Sequence, residues 1–283
     1  MLKEALLQRR QPTVRFEHQG ILYRVSHLAQ NSANVFFLRR LPDVVPSLDS
    51  LGLPSYLTKW LLAPEQCMGL VVVSGRQTSG KTTFASSLIV ARLRKFGGHA
   101  VTFENPAELP LSGAWGEFGY CFQTEIANEN ALAKEIEHAH RYGSPDIIFI
   151  GEIKTRHAAV EAMRVALGSN RQLVVATIHG QDTETALNRL TTWAKEVEGN
   201  NALQNLRQTL LAVIHLRLEE HWDPDKQQDT FVLRCPDPLL VSFKDQHSHA
   251  IRAKLEAGQF HDLSSEMRVI MHRIAQGEGE NSA

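Results

Sequence analysis

Three cysteines in 283 residues, Cys67, Cys121 and Cys235, stand far apart, so neither a disulfide framework nor a paired-cysteine zinc site is available. They read as core fillers. No apolar run approaches the roughly 18–20 residues that span a bilayer, and Met1 to Arg10 lacks the apolar stretch of a signal peptide. The expectation is a cytoplasmic chain. A large excess of one charge is also missing: the formal net charge of −1 argues against nucleic acid as the main partner, because neutralising phosphates takes clustered Lys and Arg. Internal repeats and low-complexity tracts are absent too. What remains, 43% hydrophobic and 22% charged residues, is enough for one large core or two smaller ones.

The charge that is present is uneven. Residues 1–40 carry Lys3, Arg9, Arg10, Arg15, Arg24, Arg39 and Arg40 against Glu4 and Glu17, a balance of +5 that leaves −6 for the rest. Such a module can face an acidic neighbour, face nucleotide, or simply present a solvated basic surface. Residues 14–18, 21–25 and 34–38 alternate like short strands, broken at Gln19-Gly20 and at Asn31-Ser32. Residues 41–54, with Pro42, Pro46, Gly52 and Pro54, read as a linker.

From Leu70 the pattern changes to strands alternating with helices. Strands are predicted at 71–73, 99–103, 147–150 and 173–177, and helices near 82–96, 128–141 and 157–167. That alternation predicts an α/β domain on a largely parallel sheet. Further helices are predicted at 182–194 and 201–214, the latter from the spacing of Leu203, Leu206, Leu210 and Ile214. A strand pair at 215–219 and 229–235, helices near 248–257 and 263–275, and a polar, disordered tail complete the reading. The boundaries are a β-rich module over 1–42, a linker and entry helix over 43–69, the α/β domain with its C-terminal helices over 70–275, and the tail over 276–283.

The chemistry is most specific at Gly75-Arg76-Gln77-Thr78-Ser79-Gly80-Lys81-Thr82, a complete phosphate-binding P-loop. Such a match arises by accident in roughly one chain of this length in a hundred, and its context tightens it. The apolar run Leu70-Val71-Val72-Val73 precedes it, and a helix with Ile89, Leu93 and Phe96 on one face follows. Gly75, Thr78, Ser79, Gly80, Lys81, Thr82 and Thr83 are the nucleotide-binding candidates. The glycines let backbone N–H groups turn inward, Lys81 reaches the β/γ-phosphates, and the Thr82 hydroxyl can ligate Mg²⁺. ATP and Mg²⁺ are therefore the expected cofactors.

Hydrolysis also needs acids, and three strand ends supply polar groups. Asp146-Ile147-Ile148-Phe149-Ile150-Gly151-Glu152 has the Walker B form, with Glu152 at the carboxyl end where ligands collect in open α/β sheets and Asp146 at the far end. Glu104 ends the strand at 101–103, and His179 closes the one at 173–178. Glu152 is also the metal candidate beside Thr82. Singly, each is more often a solvated boundary; converging on one face, they read as a site.

In that order, the P-loop, Val101-Thr102-Phe103-Glu104-Asn105-Pro106-Ala107-Glu108, Gln123-Thr124-Glu125, residues 145–152 and Ala176-Thr177-Ile178-His179-Gly180 resemble the PilT-like motor ATPases of type IV pili and secretion systems. The likeness extends from about residue 20 to 275. It implies a RecA-like P-loop NTPase fold with a short β-rich N-terminal module and a helical C-terminal end. It further implies that Glu104 acts as general base or positions water, that Glu152 supports Mg²⁺ and the water, and that His179 senses the γ-phosphate. Arg24, Arg39 and Arg40 match the region whose arginines reach nucleotide in related motors, from their own subunit or a neighbour.

The resemblance therefore implies an ATP-hydrolysing hexamer at the cytoplasmic base of a pilus, secretion or conjugation machine, docked on an inner-membrane platform; on charge, direct nucleic-acid binding is not expected. Retraction and assembly roles both fit. Departures from the family pattern point the other way, to a regulatory subunit of low turnover. Asn105 stands where an acid is usual, Ile153-Lys154-Thr155 where an Arg-Asp pair is favoured, and Gly168-Ser169-Asn170-Arg171 in place of Thr-Gly-His. His138 and Tyr142 occupy positions where arginines are common.

Overall fold

Two successive residues with positive φ, Gln19 at 51° and Gly20 at 75°, make the tight turn that joins β1 (Thr13–His18) to β2 (Ile21–Ala29). This is the turn geometry whose twist matches antiparallel strands. β3 (Asn34–Arg40) adds to β2, giving an antiparallel sheet in the order β1-β2-β3. Its own core is small: Val14 and Val25, with Phe16, Tyr23 and Phe36 packed against them. The computed structural model describes residues 13–29, 34–138, 143–168, 171–223, 227–243 and 248–276. Residues 277–283 of the predicted tail and the basic residues before Thr13 lie outside these.

The linker is anchored rather than loose. Ser47 accepts the backbone N–H of Ser50 to start a 3-10 turn at Leu48–Leu51, Gly52 ends it at φ 70°, and Leu48 is buried in the main core. A short helix, α1 (Ser55–Leu61), follows; Arg92 Nη1 donates to the Leu61 carbonyl at 2.7 Å and Lys95 Nζ to that of Leu62 at 2.8 Å. Cations at a helix C-terminus satisfy its orphan carbonyls and its dipole.

The main sheet has nine strands among the described residues. They are β4 (Gly69–Gly75), β5 (Gly98–Glu104), β6 (Gly113–Trp115), β7 (Gly119–Glu125), β8 (Ile147–Ile150), β9 (Leu173–His179), β10 (Leu210–Asp223), β11 (Gln228–Arg234) and β12 (Leu239–Leu240). The order is β11-β10-β4-β9-β8-β5-β7-β6, with β12 on β10. β10 to β4, β4 to β9, β9 to β8, β8 to β5 and β5 to β7 are all parallel. Every residue of β4 and of β8 is buried, as continuous apolar runs covered on both faces must be. The covering helices are α2 (Lys81–Phe96), α3 (Glu129–His138), α4 (Arg156–Leu167), α5 (Thr183–Glu198) and α6 (Asn201–Thr209). α7 (Ser248–Ala257) and α8 (Ser264–Ala275) close the chain's end and bury Ile251, Leu255, Met267 and Ile270 in the same core. No described helix is long and apolar enough to cross a membrane.

Three sequence expectations need correction. The helix predicted over 201–214 stops at Thr209, and Leu210 and Ile214 belong to β10. Leu210-Leu211-Ala212-Val213-Ile214 is an unbroken apolar run, all fully buried, and a buried strand beside β4 uses such a run as well as a helix face does. Phe96 does not join Ile89 and Leu93 in the core: it is 42% exposed, with Arg92 and Lys95 over its ring. Finally, β6 and β7 were not foreseen as strands; β7 alternates buried Gly119 and Cys121 with exposed Tyr120 and Phe122, and as a strand near the sheet edge it carries little apolar signal.

Candidate nucleotide site

The carboxyl ends of the parallel strands meet at one edge. Gly75 of β4 lies in register with His179 of β9, and Glu104 of β5 with Glu125 of β7. Between them β8 ends at Ile150, so Gly151 and Glu152 emerge onto the same rim. Gly151 N–H donates to the Phe103 carbonyl at 2.9 Å, Thr177 Oγ1 donates to the Gly151 carbonyl at 2.5 Å, and Ile153 N–H donates to the Thr177 carbonyl at 2.8 Å. These bonds fix the turn that presents Glu152. Asp146 sits at the opposite end of the sheet, accepting the His99 N–H at 2.9 Å, as the sequence reading placed it.

The P-loop turns from β4 into α2. Gly75 tolerates no side chain: a Cβ there would meet Ser79 Oγ at 2.3 Å and the Leu216 carbonyl at 2.5 Å. Thr78 and Gly80 both adopt positive φ, 62° and 87°. α2 starts after Gly80 with no side-chain cap and no acid in its first turn. Its leading N–H groups and the positive end of its dipole are therefore left for an anion. Lys81 is buried and donates to the carbonyls of Arg76 at 2.7 Å and Gly75 at 3.2 Å. Burial holds its ammonium below the usual lysine range, against the opposing pull of Glu152 and Glu108. Ser79 Oγ, also buried, has no hydrogen-bond partner.

Glu152 is the centre of the acid cluster. Its Oε1 lies 2.8 Å from His179 Nε2, a distance without hydrogen-bond alignment, so that this buried oxygen has no hydrogen-bond donor, while Lys154 Nζ stands 3.2 Å from Oε2. Burial first, then the charges of Lys81 and Arg189, hold the His179 imidazole below its ordinary range, outweighing Glu152 and the Gly75 backbone. Glu104 lies deeper, 2% exposed, its Oε1 accepting from Thr102 Oγ1 at 2.9 Å and Gln123 Nε2 at 2.8 Å. Burial pushes its carboxyl up to about 7 despite those donors.

Two spaces that share Arg24, Thr82, Glu108 and Glu152 in their linings border these groups. The larger, about 450 Å³, is lined by Gln77 through Thr83, Glu108, Glu152, His179, Arg24 and Arg39, and by Leu218, Phe231 and Leu233 of the β10–β11 hairpin. The smaller, about 50 Å³, is bounded by Thr82, Glu104, Asn105, Glu152, Lys154 and Arg24. That is room for water, since one molecule needs roughly 10–15 Å³ of such space. An orphaned Oε1 on Glu152, the Thr82 hydroxyl at the same recess and an uncapped helix start together fit a triphosphate with a hard, oxygen-loving cation such as Mg²⁺.

The structure thus brings together Gly75, Thr78, Ser79, Gly80, Lys81, Thr82, Thr83, Glu104, Glu152, His179, Arg24 and Arg39. Arg40 is not among them: it pairs with Asp43 at 2.9 Å and lines neither space. Sequence reasoning gave no role to Glu108, which receives Arg24 Nη1 at 2.5 Å, or to Gln123, whose amide joins Glu104 to the Leu109 carbonyl at 2.8 Å. Both stand in the motif segments quoted above, but nothing in their spacing announced a contact. The strand pattern of the hairpin residues gives no sign of the cavity that Leu218, Phe231 and Leu233 line. Tyr142, Ser169 and Asn170 lie outside the described residues.

Comparison with known proteins gives the family and the fold. The chain is 31% identical over 193 residues to the competence protein ComGA of Halalkalibacterium halodurans, covering 68% of this chain and 51% of that protein. It is 30% identical over 175 residues to the type IV pilus ATPase PilU of Pseudomonas aeruginosa, covering 59% and 42%. The chain therefore spans about half the length of these relatives. The solved structure of the Legionella pneumophila ATPase DotB superposes on 93% of this chain and 71% of its own with a TM-score of 0.73 at 20% identity, a match of fold. The profile of the family described as Type II/IV secretion system protein matches residues 4–275, and the chain belongs to that family.

Proposed function

We propose that the chain is an ATP-hydrolysing motor that works as a hexamer at the cytoplasmic base of a type IV pilus or a related secretion machine, attached to the inner membrane through partner proteins. The observation that carries this is the meeting of Lys81, Thr82, Glu152, Glu104 and His179 on one rim, with Glu152 Oε1 and Ser79 Oγ buried and without a hydrogen bond. Relatives named as a pilus ATPase and a competence protein supply the setting.

In this reading Lys81 leaves the carbonyls of Gly75 and Arg76 to hold the β/γ-phosphates, as its partly desolvated ammonium is suited to do. Thr82 and Glu152 would hold Mg²⁺, which would neutralise charge on the phosphates. Glu104, poised near neutrality, takes the proton of a water in the small recess as that water's oxygen attacks the γ-phosphorus and the bond to the bridging oxygen breaks. Arg24 and Arg39 stabilise the charge that moves onto the leaving oxygen. His179, neutral at pH 7, reads the γ-phosphate from the end of β9.

A second reading, a nucleotide-binding subunit with little turnover, is favoured by the ion pair of Lys154 with Glu152 and by the uncharged Asn105 at the recess. Phosphate release under saturating Mg-ATP separates the two. A rate well above that of the Lys81→Ala control supports the motor; a rate equal to it leaves the binding subunit.

A further inference from the structure

A triphosphate in a P-loop has a direction, and the sheet order sets it here. β9, β8 and β5, whose ends carry His179, Glu152 and Glu104, all lie on one side of β4. The γ-phosphate belongs on that side, next to the groups that serve hydrolysis. The sugar and base then extend to the other side, where β10 and β11 stand.

Beyond Leu216, β10 leaves its parallel pairing with β4 and forms a hairpin with β11 in which Leu218 faces Leu233 and Glu220 faces Phe231. Cross-strand partners and residues two apart share a face, so Leu218, Leu233 and Phe231 lie together, and Arg217, Glu219 and Arg234 lie on the reverse. The three apolar side chains line the larger cavity, with Leu51 from the linker's 3-10 turn. Leu233 also touches the phosphate cradle: a Cβ on Gly80 would stand 3.2 Å from its Cδ1. Leu233 is 8% exposed and belongs to the main core, but Phe231 is 64% exposed and Leu218 42%, so these two are not spent on it. An open aromatic ring beside a phosphate cradle has the form of a stacking platform, because every base has an apolar π-face to cover it.

Resting on the reading of the P-loop as a nucleotide site, we propose that Phe231, Leu218 and Leu233, with Leu51, form the base-binding wall of that site. Phe231 stacks on the purine ring of a nucleoside triphosphate. The wall contributes affinity through the base, independently of the phosphates.

Calorimetric titration of the full chain with Mg-ATP and, separately, with Mg-tripolyphosphate tests this. Phe231→Ala is expected to weaken ATP about 10-fold, within the range of one base–aromatic stack, and to leave tripolyphosphate unchanged; Phe231→Tyr, which keeps the ring, is expected to bind ATP like the unaltered chain. Unchanged ATP affinity in Phe231→Ala overturns the wall while the P-loop reading stands. Equal loss of both ligands also overturns it, since the hairpin would then be supporting the cradle. An unaltered chain that binds neither ligand removes the nucleotide reading itself.

Discussion

Arg24 and Arg39 are direct cross-strand partners in the β2–β3 ladder, and both line the cavity over the P-loop. Like charges placed opposite each other on a sheet are unfavourable unless something anionic lies between or beside them. Glu108 meets Arg24 at 2.5 Å, and a phosphate chain would meet both. Arg40, one residue along β3, pairs across with Tyr23 on the other face. Arg24→Ala and Arg39→Ala are therefore each expected to lower the rate of phosphate release by on the order of 10³-fold, the low end for a transition-state arginine. Arg40→Ala should stay within about twofold, since its ion pair with Asp43 is exposed. A large loss in Arg40→Ala would contradict this assignment.

In the proposed mechanism Lys81 and Glu152 divide binding from turnover. Replacing Lys81 by Ala removes the cation that meets the phosphates and is expected to weaken nucleotide binding by about 10²-fold, as loss of a buried charge-assisted contact does. Glu152→Gln keeps the side chain's shape and should leave affinity within a few-fold while cutting turnover by about 10²-fold or more. Titration with a fluorescent ATP analogue, alongside phosphate release, reads both. Intact affinity in Lys81→Ala would dismantle the P-loop role.

As the proposed base, Glu104 would link activity to pH. Its carboxyl is raised from 4.5 to about 7, so a base that must be ionised to act gives a rate that climbs with pH through about 7. Stability runs the opposite way. Below pH 4.5 the group is neutral in both states; between there and 7 the folded chain keeps a proton that the unfolded chain releases, so its contribution to stability falls as pH rises. In Glu104→Gln the amide oxygen can still accept from Thr102 and Gln123, without the buried charge. The melting temperature of Glu104→Gln should exceed that of the unaltered chain at pH 8 and match it near pH 4.5, and its residual rate should lose the rising limb. A limb that survives the substitution would assign it to another group.

How much of this was legible depended on whether one segment held both cause and effect. The P-loop was, because strand, glycines, Lys81 and helix are contiguous and each has a local physical reason. The strand ends at Glu104, Glu152 and His179 were legible as candidates, because parallel strands put their carboxyl ends on one rim. The choice among Arg24, Arg39 and Arg40 was not: it needed the β2–β3 register, which pairs Arg24 with Arg39 and turns Arg40 away. Leu210–Ile214 misled because an apolar run of that length serves a helix face and a buried strand equally. Phe231 gave no signal at all, since its neighbours in the cavity come from 51, 218 and 233.

The same register bears on how a ring would work. Arg24 and Arg39 line the cavity above the P-loop of their own chain, and Arg24 is tied there to Glu108 beside the acid strand. If they serve the P-loop they line, each site is complete within one subunit. Mixing Lys81→Ala subunits with subunits carrying both Arg24→Ala and Arg39→Ala should yield no activity beyond the sum of the two parents, because every site in a mixed ring holds either a broken cradle or a broken arginine pair. If the arginines instead served a neighbour, some sites would combine an intact cradle with intact arginines, and activity would return. Co-assembly is verified by cross-linking and mass measurement of the mixed rings with bound ATP analogue. Recovery in rings so verified would move Arg24 and Arg39 to the adjacent subunit's site.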